Sequence, residues 1–382
     1  KQLSFLLKMK KIIYLDNSAT TRVYSEVIKE MKKYFLDEYG NPGSSHEFGE
    51  KAQFAINNAR KKFAREIGAK PYEIVFTSGG TESNNLALFG VANSNKTKKK
   101  KIIISAIEHS SVFEPALELR KKGYDVVIIS VNNEGILKIN ELEKAIDGNT
   151  LLVSIIHGNN EIGVLQDLNR IGKICKENNA IFHTDAVQSF ARERIDVGGM
   201  NISLLSASAH KIGGPKGAGF LFIREGVDVL PLIFGGKQEK GIRGGIENVS
   251  GILGFAKALE ITKKVNKNKM REIRDYFIEK LEKIKGKING SKDKRLFNNI
   301  NVYFSGIDAE KFVFLLSQKG IYCSTKSACL SKQHIESRVL KSIGLSKKEI
   351  KESLRFALNE NISKKDIDYV IREIKSTINL KG

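Results

Sequence analysis

The sequence predicts an α/β protein with two parts, a large layer built on a mostly parallel sheet and a smaller α+β unit. Three observations carry this. Between Tyr72 and Ile223, apolar runs of strand length alternate with amphipathic stretches of helix length. Runs such as "LLVSIIH" and "GAGFLFI" are apolar on both faces, as strands covered by helices on both sides must be. After a long helical stretch from about Val249 to Ile284, the alternation gives way to a shorter mixture of strands and helices.

The elements follow in order. "EIVFTS" is a strand that leads into the helix "TESNNLALFGVA", and "KIIISA" leads into "SSVFEPALELRKKG". The strand "DVVIIS" follows, then "LLVSIIH" with the helix "DLNRIGKICKENN", then "AIFHTD". "ISLLSAS" and "GAGFLFI" are close enough together to include one antiparallel strand. In the smaller part "FNNINVYFSG", "IYCSTKS" and "ESLRFAL" are strand-like, while "AEKFVFLLSQKG" and "KKDIDYVIREIKSTI" are helical. The expected division is 21–260 for the large domain, with 1–20 and 261–382 forming the small one. Only five prolines and no Gly/Ser linker point to two parts packed together rather than tethered.

Composition narrows the class. The chain has 382 residues, 41% hydrophobic and 8% aromatic, enough for one large core or two moderate ones. No apolar run reaches the ~18 residues of a membrane span. The amino end lacks a small-residue cleavage site, so a cytoplasmic location is expected, with Met9 as the natural start and residues 1–8 as upstream sequence. Lys+Arg 64 against Asp+Glu 43 gives a formal charge of +21, which favours polyanions. The excess is mostly scattered lysine, and we read it as solvated helix faces rather than a direct nucleic-acid surface. Cys175, Cys323 and Cys329 form no CxxC pair, which argues against a disulfide framework or a structural zinc site and for a reducing compartment.

Function is sought where open α/β sheets bind ligands, beyond the carboxyl ends of the strands. "VFTSGGTESNN" puts Gly80 and Thr81 at a helix start whose free N–H groups suit a phosphate, although no Gly-Lys-Ser/Thr of a P-loop follows. "AIEHSS" places Glu108 and His109 after a second strand, "IIHGNNEIG" places Asn159 and Asn160 after a third, and "IFHTDAVQS" places Asp185 and Gln188 after a fourth. Each alone reads as a helix cap. Together they converge with Lys211, set in the small-residue stretch "SASAHKIGGPKG". Burial disfavours a charged lysine, lowers its pKa and makes its amine a nucleophile for carbonyl compounds. A phosphate cradle, an aspartate and such a lysine match pyridoxal 5′-phosphate.

At this point the sequence resembles a known family. "YLDNSATT", "NPGSSHEFG", "FTSGGTESNN", "IEHSSV", "HGNNEIGVLQ", "HTDAVQS", "SAHKIGGPKG", "RGGIENVSGI", "STKSAC" and "LRFAL" occur in the order seen in NifS/IscS-like cysteine desulfurases. These are class V of the fold type I pyridoxal-phosphate enzymes, and the resemblance runs from Tyr14 onward. It implies a fold type I transferase with a seven-stranded large-domain sheet, acting as a homodimer that converts L-cysteine to L-alanine. By the same resemblance Lys211 is the Schiff-base lysine, Asp185 pairs with the pyridine nitrogen, Gln188 contacts the ring hydroxyl, and His109 stacks on the ring and assists proton transfer. Gly80, Thr81, Ser208 and His210 hold the phosphate, and Asn159 and Arg355 receive the substrate carboxylate. Cys329 becomes the persulfide-bearing nucleophile, which passes sulfur to an Fe–S scaffold or a tRNA-thiolation enzyme. Arg243 and Ile246 lie on a loop that reaches the neighbouring subunit.

The residues also speak for Cys329 directly. It lies in polar "TKSACLSKQH" beside Lys326, Lys332 and His334, which favours thiolate and exposure, whereas Cys175 and Cys323 sit in apolar runs and read as structural. A loop that must reach both substrate and acceptor is expected to move. Two alternatives stay open: a selenocysteine lyase or another class V aminotransferase, and a catalytically weak scaffold or RNA-binding paralogue. Two positions depart from the family pattern. Lys326 stands where glycine is usual, and Ile246 stands where a threonine usually reaches the cofactor phosphate. One missing hydroxyl to a charged phosphate costs roughly 1 to 3 kcal/mol. An Ile246→Thr variant is therefore expected to retain pyridoxal phosphate more tightly in spectrophotometric titration, and unchanged affinity would refute the idea.

Overall fold

Runs of Ile, Val, Leu and Phe with no polar face can only be satisfied as strands covered on both sides. The computed structural model, which describes residues 11–325 and 336–379, uses them in this way. After a short strand β1 (Ile13–Tyr14), seven strands form one sheet: β2 (Ile74–Thr77), β3 (Lys101–Ser105), β4 (Asp125–Ile129), β5 (Thr150–Ser154), β6 (Ile181–Asp185), β7 (Leu204–Ser208) and β8 (Gly219–Ile223). Their order is β2-β8-β7-β6-β5-β3-β4. β8 is antiparallel to both neighbours, and the other pairings are parallel. The expected antiparallel strand is thus present, in the pair of runs that suggested it.

Alternation along the strands divides the core into two layers. Phe220 and Phe222 of β8 join one cluster, with helices Glu47–Ile67, Leu168–Glu177 and Val249–Thr262. Leu221 and Ile223 join the other, with helices Gly80–Ser94 and Ser110–Lys121. In the first layer Phe63, Phe190, Phe220 and Phe255 are all buried, with the Phe63 and Phe255 rings 4.5 Å apart.

The smaller part is an antiparallel sheet of β9 (Lys287–Ile288), β10 (Asn299–Tyr303) and β12 (Ser353–Ala357), with β10 in the middle. β1 pairs in parallel with β11 (Ile321–Tyr322) beside it. Helices Lys267–Lys283, Ala309–Gln318 and Lys364–Asn379 cover it, and its core holds Ile13, Leu15, Phe277, Phe312 and Phe356. A further apolar cluster joins Ile107, Ile156 and Ile162 to Val339, Leu340 and Ile350, so the chain after residue 336 packs onto the ends of the large sheet.

The long helical stretch expected from Val249 to Ile284 is two helices, Val249–Thr262 and Lys267–Lys283. The break falls where Asn266 takes up a capping position and its side chain accepts from the Lys269 N–H at 3.0 Å. An asparagine inside a helix competes with the backbone for hydrogen bonds and so favours a cap. "IYCSTKS" contributes only two strand residues, after which Ser324 bridges to Arg355. Among the described residues no helix is long and apolar enough to cross a membrane.

Phe63 is fully buried against four other rings. A Phe63→Ala variant should lose about 3 to 5 kcal/mol in urea unfolding, while Phe54→Ala, on the same helix but exposed, should lose far less.

Candidate active site

Parallel strands that end together place the residues after them side by side. The ends of β2, β3, β5, β6 and β7 surround a cavity of about 190 Å³. Its walls include Gly80, Thr81, His109, Asp185, Gln188, Ser208, His210, Lys211 and Arg355. Each of the four strand ends singled out thus contributes at least one residue to one place, although Glu108 and Asn159 do not line it. At the β2 end the chain approaches β8 too closely for side chains: a Cβ on Gly219 would lie 2.6 Å from Gly79 Cα. Gly79 opens the helix Gly80–Ser94, whose first N–H groups face away from the helix as an anion seat.

Asp185 sits at the centre of a buried polar chain. Its Oδ1 accepts from the Val187 N–H at 2.9 Å, and its Oδ2 accepts from Asn84 Nδ2 at 2.8 Å. Asn84 also donates to Ser111 Oγ at 2.8 Å, and Ser111 Oγ lies 2.7 Å from His109 Nδ1. The Ser111 N–H donates to the same Nδ1, which assigns the ring proton to Nε2. Burial, more than any neighbouring charge, lowers the His109 pKa and holds the imidazole neutral. Asn84 and Ser111 were not singled out from the sequence. Nothing distinguished them from ordinary helix residues, and only the packing of their two helices brings them to Asp185.

Lys211 lies on the turn after β7. Its Nζ donates to the carbonyls of Ser18 and Ala19 at 2.7 and 2.8 Å. Gln188 Nε2 also donates to Ser18 O, and His210 Nδ1 is 3.2 Å from Thr20 Oγ1. Burial and the neighbouring lysines Lys211 and Lys216 lower the His210 pKa to about 4. Behind the site, buried Arg192 donates to Lys211 O and to Gln188 O. Ser18 and Ala19 therefore form part of the cavity wall, a role that sequence reasoning did not give to "DNSAT".

Arg355, on β12, is 1% exposed, and its Nη2 meets Asp16 Oδ1 at 2.6 Å. Its Nη1 donates to Asn160 O at 3.2 Å. Asn159, expected at the substrate carboxylate, does not line the cavity. Its Oδ1 accepts from the N–H groups of Glu161 and Ile162 and its Nδ2 donates to Ile107 O, so the side chain is spent on closing its own turn. Asn160 lines the cavity instead. Arg243 pairs at 3.2 Å with Glu82 of the same chain, and Ile246 is 62% exposed.

Residues 13–370 match the family Aminotransferase class-V. The chain belongs to this family. It is 43% identical to the cysteine desulfurase IscS of Dictyoglomus turgidum, covering 97% of this chain and 95% of that protein. It is 45% identical to the IscS of Methanosarcina thermophila, covering 96% and 92%. Among solved structures, a NifS-like protein superposes with a TM-score of 0.91 at 36% identity, covering 97% of this chain and 100% of that one. SspA in complex with cysteine gives 0.82 at 37%, covering 91% and 98%.

Class V aminotransferases carry pyridoxal phosphate, and the cavity of this family member fits that group. The helix start at Gly80 and Thr81, beside Ser208 and His210, is a seat for a phosphate. Asp185 is a 3% exposed carboxylate on the cavity wall, matched to a ring nitrogen that gains a proton. Asn84 Oδ1, which is also buried, has no hydrogen-bond partner among the described residues.

Of the cysteines, Cys175 is buried in the core and its thiol is pushed up to about 12, while burial also raises the pKa of Cys323. Neither suits a thiolate role. Cys329 lies outside the described residues, as do Lys326, Lys332 and His334. The described chain on either side is anchored at the cavity. Ser324 bridges to Arg355 on one side. On the other, Ser337 Oγ donates to Glu161, and Arg338 donates to Glu108 O while its guanidinium lies 3.5 Å from the Phe113 ring centre. Among the described residues no cluster of His, Cys, Asp and Glu could hold a metal ion.

Glu108 is 1% exposed, and its Oε2 has no hydrogen-bond partner among the described residues. Burial pushes its carboxyl up to about 8 from 4.5, against the lowering effect of the Ser105 hydroxyl and the Ile156 N–H. Between these values the unfolded chain ionises while the fold holds the proton. The contribution of Glu108 is therefore complete below about pH 4.5 and is lost as pH rises towards 8. In urea unfolding at pH 5 and pH 8, Glu108→Gln should gain on the parent by on the order of 3 kcal/mol over that interval. Parallel curves for the two proteins would contradict the assignment.

Proposed function

We infer that this chain is a pyridoxal-phosphate-dependent cysteine desulfurase that converts L-cysteine to L-alanine. One observation carries the reading: Lys211, Asp185 and Arg355, from three separate stretches of chain, line the same cavity. Near full-length identity to curated desulfurases supports the same chemistry.

When bound, pyridoxal phosphate supplies an aldehyde that condenses with amines and a ring that draws electrons from the α-carbon. Gly80, Thr81, Ser208 and His210 are the residues to hold its phosphate, Asp185 its ring nitrogen and Gln188 its ring hydroxyl. His109, kept neutral by burial, presents an uncharged ring. Arg355 receives the substrate α-carboxylate, for which its guanidinium offers a matching fork. Lys211 Nζ takes the α-proton and returns it. The thiolate of Cys329 forms a bond to the substrate sulfur as the Cβ–S bond breaks. The electron pair of the broken bond stays on carbon, which takes a proton and leaves as the methyl group of alanine. The sulfur remains on Cys329 as a persulfide.

The persulfide goes to an acceptor protein, an Fe–S scaffold or a tRNA-thiolation enzyme, and transfer assays with each decide between them. A homodimer is supported by the exposed apolar side chains of Phe35, Phe54, Phe234 and Ile246, and sedimentation measures it. We place the chain in the cytoplasm, where the free thiols of Cys175 and Cys323 stay reduced.

Holoenzyme given L-cysteine should release alanine and carry a persulfide on the peptide containing Cys329. Cys329→Ala should abolish the persulfide, and borohydride should label Lys211. Transfer of the amino group to a keto acid, or persulfide formed at the parent rate in Cys329→Ser, would overturn the reading.

A further inference from the structure

Arg355 is a fully buried guanidinium, and what orients it is unusual in coming from the opposite end of the chain. Residue 16 is clamped against β12 from both sides: the Ala357 N–H donates to Leu15 O at 2.6 Å, and Asn17 Nδ2 donates to Ala357 O at 2.8 Å. This puts the Asp16 side chain beside that of Arg355, two residues along the same strand, with Oδ1 2.6 Å from Nη2. The Asn160 carbonyl takes Nη1. These bonds use two of the five N–H donors of the guanidinium, and Nε has no partner among the described residues. The group is fixed at two corners with donors still unassigned, on the wall of the cavity.

The same segment also sets the lysine. Two and three residues after Asp16, the carbonyls of Ser18 and Ala19 accept from Lys211 Nζ. One short stretch therefore holds both cations that face the cavity, and their separation depends on how that stretch is seated. The negative charge of Asp16 also lies close enough to Cys323 to help raise its thiol pKa, while Arg355 acts in the opposite direction.

We propose that Asp16 is a positioning residue for the substrate carboxylate: its carboxylate holds the Arg355 guanidinium in the orientation that receives an α-amino acid, and so makes the site select amino acids over simple amines. This rests on the reading that Arg355 is the carboxylate seat. Asp16 itself does not line the cavity. An asparagine at position 16 keeps an acceptor oxygen for Nη2, whereas an alanine does not.

The test uses the holoenzyme and its Asp16→Ala, Asp16→Asn and Arg355→Ala variants. The readouts are KM and kcat for L-cysteine, and calorimetric binding of L-alanine and of cysteamine, which lacks the carboxylate. In Asp16→Ala, KM and the L-alanine Kd should rise on the order of 10-fold with kcat changed less than about 3-fold. Asp16→Asn should restore most of the affinity, and cysteamine binding should be the same in all variants. The proposal is overturned by an unchanged L-alanine Kd in Asp16→Ala, by an equal loss for cysteamine, or by Asp16→Asn falling as far as Asp16→Ala. If Arg355→Ala also leaves L-alanine binding unchanged, the carboxylate seat itself is wrong. If only Arg355→Ala weakens binding, the seat stands and the role of Asp16 falls.

Discussion

The parallel pairing of β6 with β7, in which Asp185 faces Ser206, is the constraint on which the site depends. Strands that run the same way end on the same side of the sheet, so their final residues share one crevice. In this register Asp185 ends β6 on the cavity wall, and β7 delivers Lys211 three residues beyond its last residue, Ser208. A slip of one residue would turn every side chain of β6 to the other face and take Asp185 out of the cavity. The register is held from within by His183, whose ring lies between Ser154 Oγ of β5 and Ser206 Oγ of β7 at 2.7 and 3.0 Å. Burial pushes the pKa of that imidazole down to about 3, so it stays a neutral linker between three strands.

Charge is rationed in this interior. Removing an ion from water is costly unless it is paired or hydrogen-bonded, and several buried titratable groups near the site avoid the cost by staying neutral. His109, His157 and His183 have lowered pKa values and Glu108 a raised one, each with burial as the largest cause. Other ionisable groups on the cavity wall have polar partners: Asp185 has two donors, Arg355 has Asp16, and Lys211 has two carbonyls. Such a wall suits a ligand that brings its own charges, an anionic phosphate and a zwitterionic amino acid. The polar chain from Asp185 through Asn84 and Ser111 to His109 is hydrogen-bonded link by link, which leaves Asn84 Oδ1 as its one buried atom without a partner among the described residues.

The two parts of the chain meet at this wall. The large sheet supplies Asp185, Gln188, Ser208 and Lys211, while the smaller sheet supplies Arg355 through β12. Residues 14–20 cross between them, pairing with β11 and Ala357 at one end and capping Lys211 and His210 at the other. The described chain flanking Cys329 returns to the same place, through Ser324 on Arg355 and Arg338 on the Glu108 carbonyl. Placing the ends of the cysteine-bearing segment beside the substrate seat requires both parts at once.

The sequence by itself determined the alternation of strands and helices, the antiparallel strand near "GAGFLFI", and the identity of Lys211, Asp185, Gln188 and His109 as candidates, whereas Arg355 was named only by the family resemblance. Each of these is a local signal, an apolar period or a polar residue after a strand, and local signals survive without knowledge of what packs against them. The two-helix break at Asn266 was hidden because an asparagine within a helical period is ambiguous until its cap geometry exists. The exchange of Asn159 for Asn160 on the cavity wall, the polar chain through Asn84 and Ser111, and the pairing of Asp16 with Arg355 were decided only by the tertiary structure. They join residues from distant parts of the chain, and no spacing along the sequence encodes which of two neighbouring amides turns inward. That choice is made by the hydrogen bonds each finds once the sheets are packed.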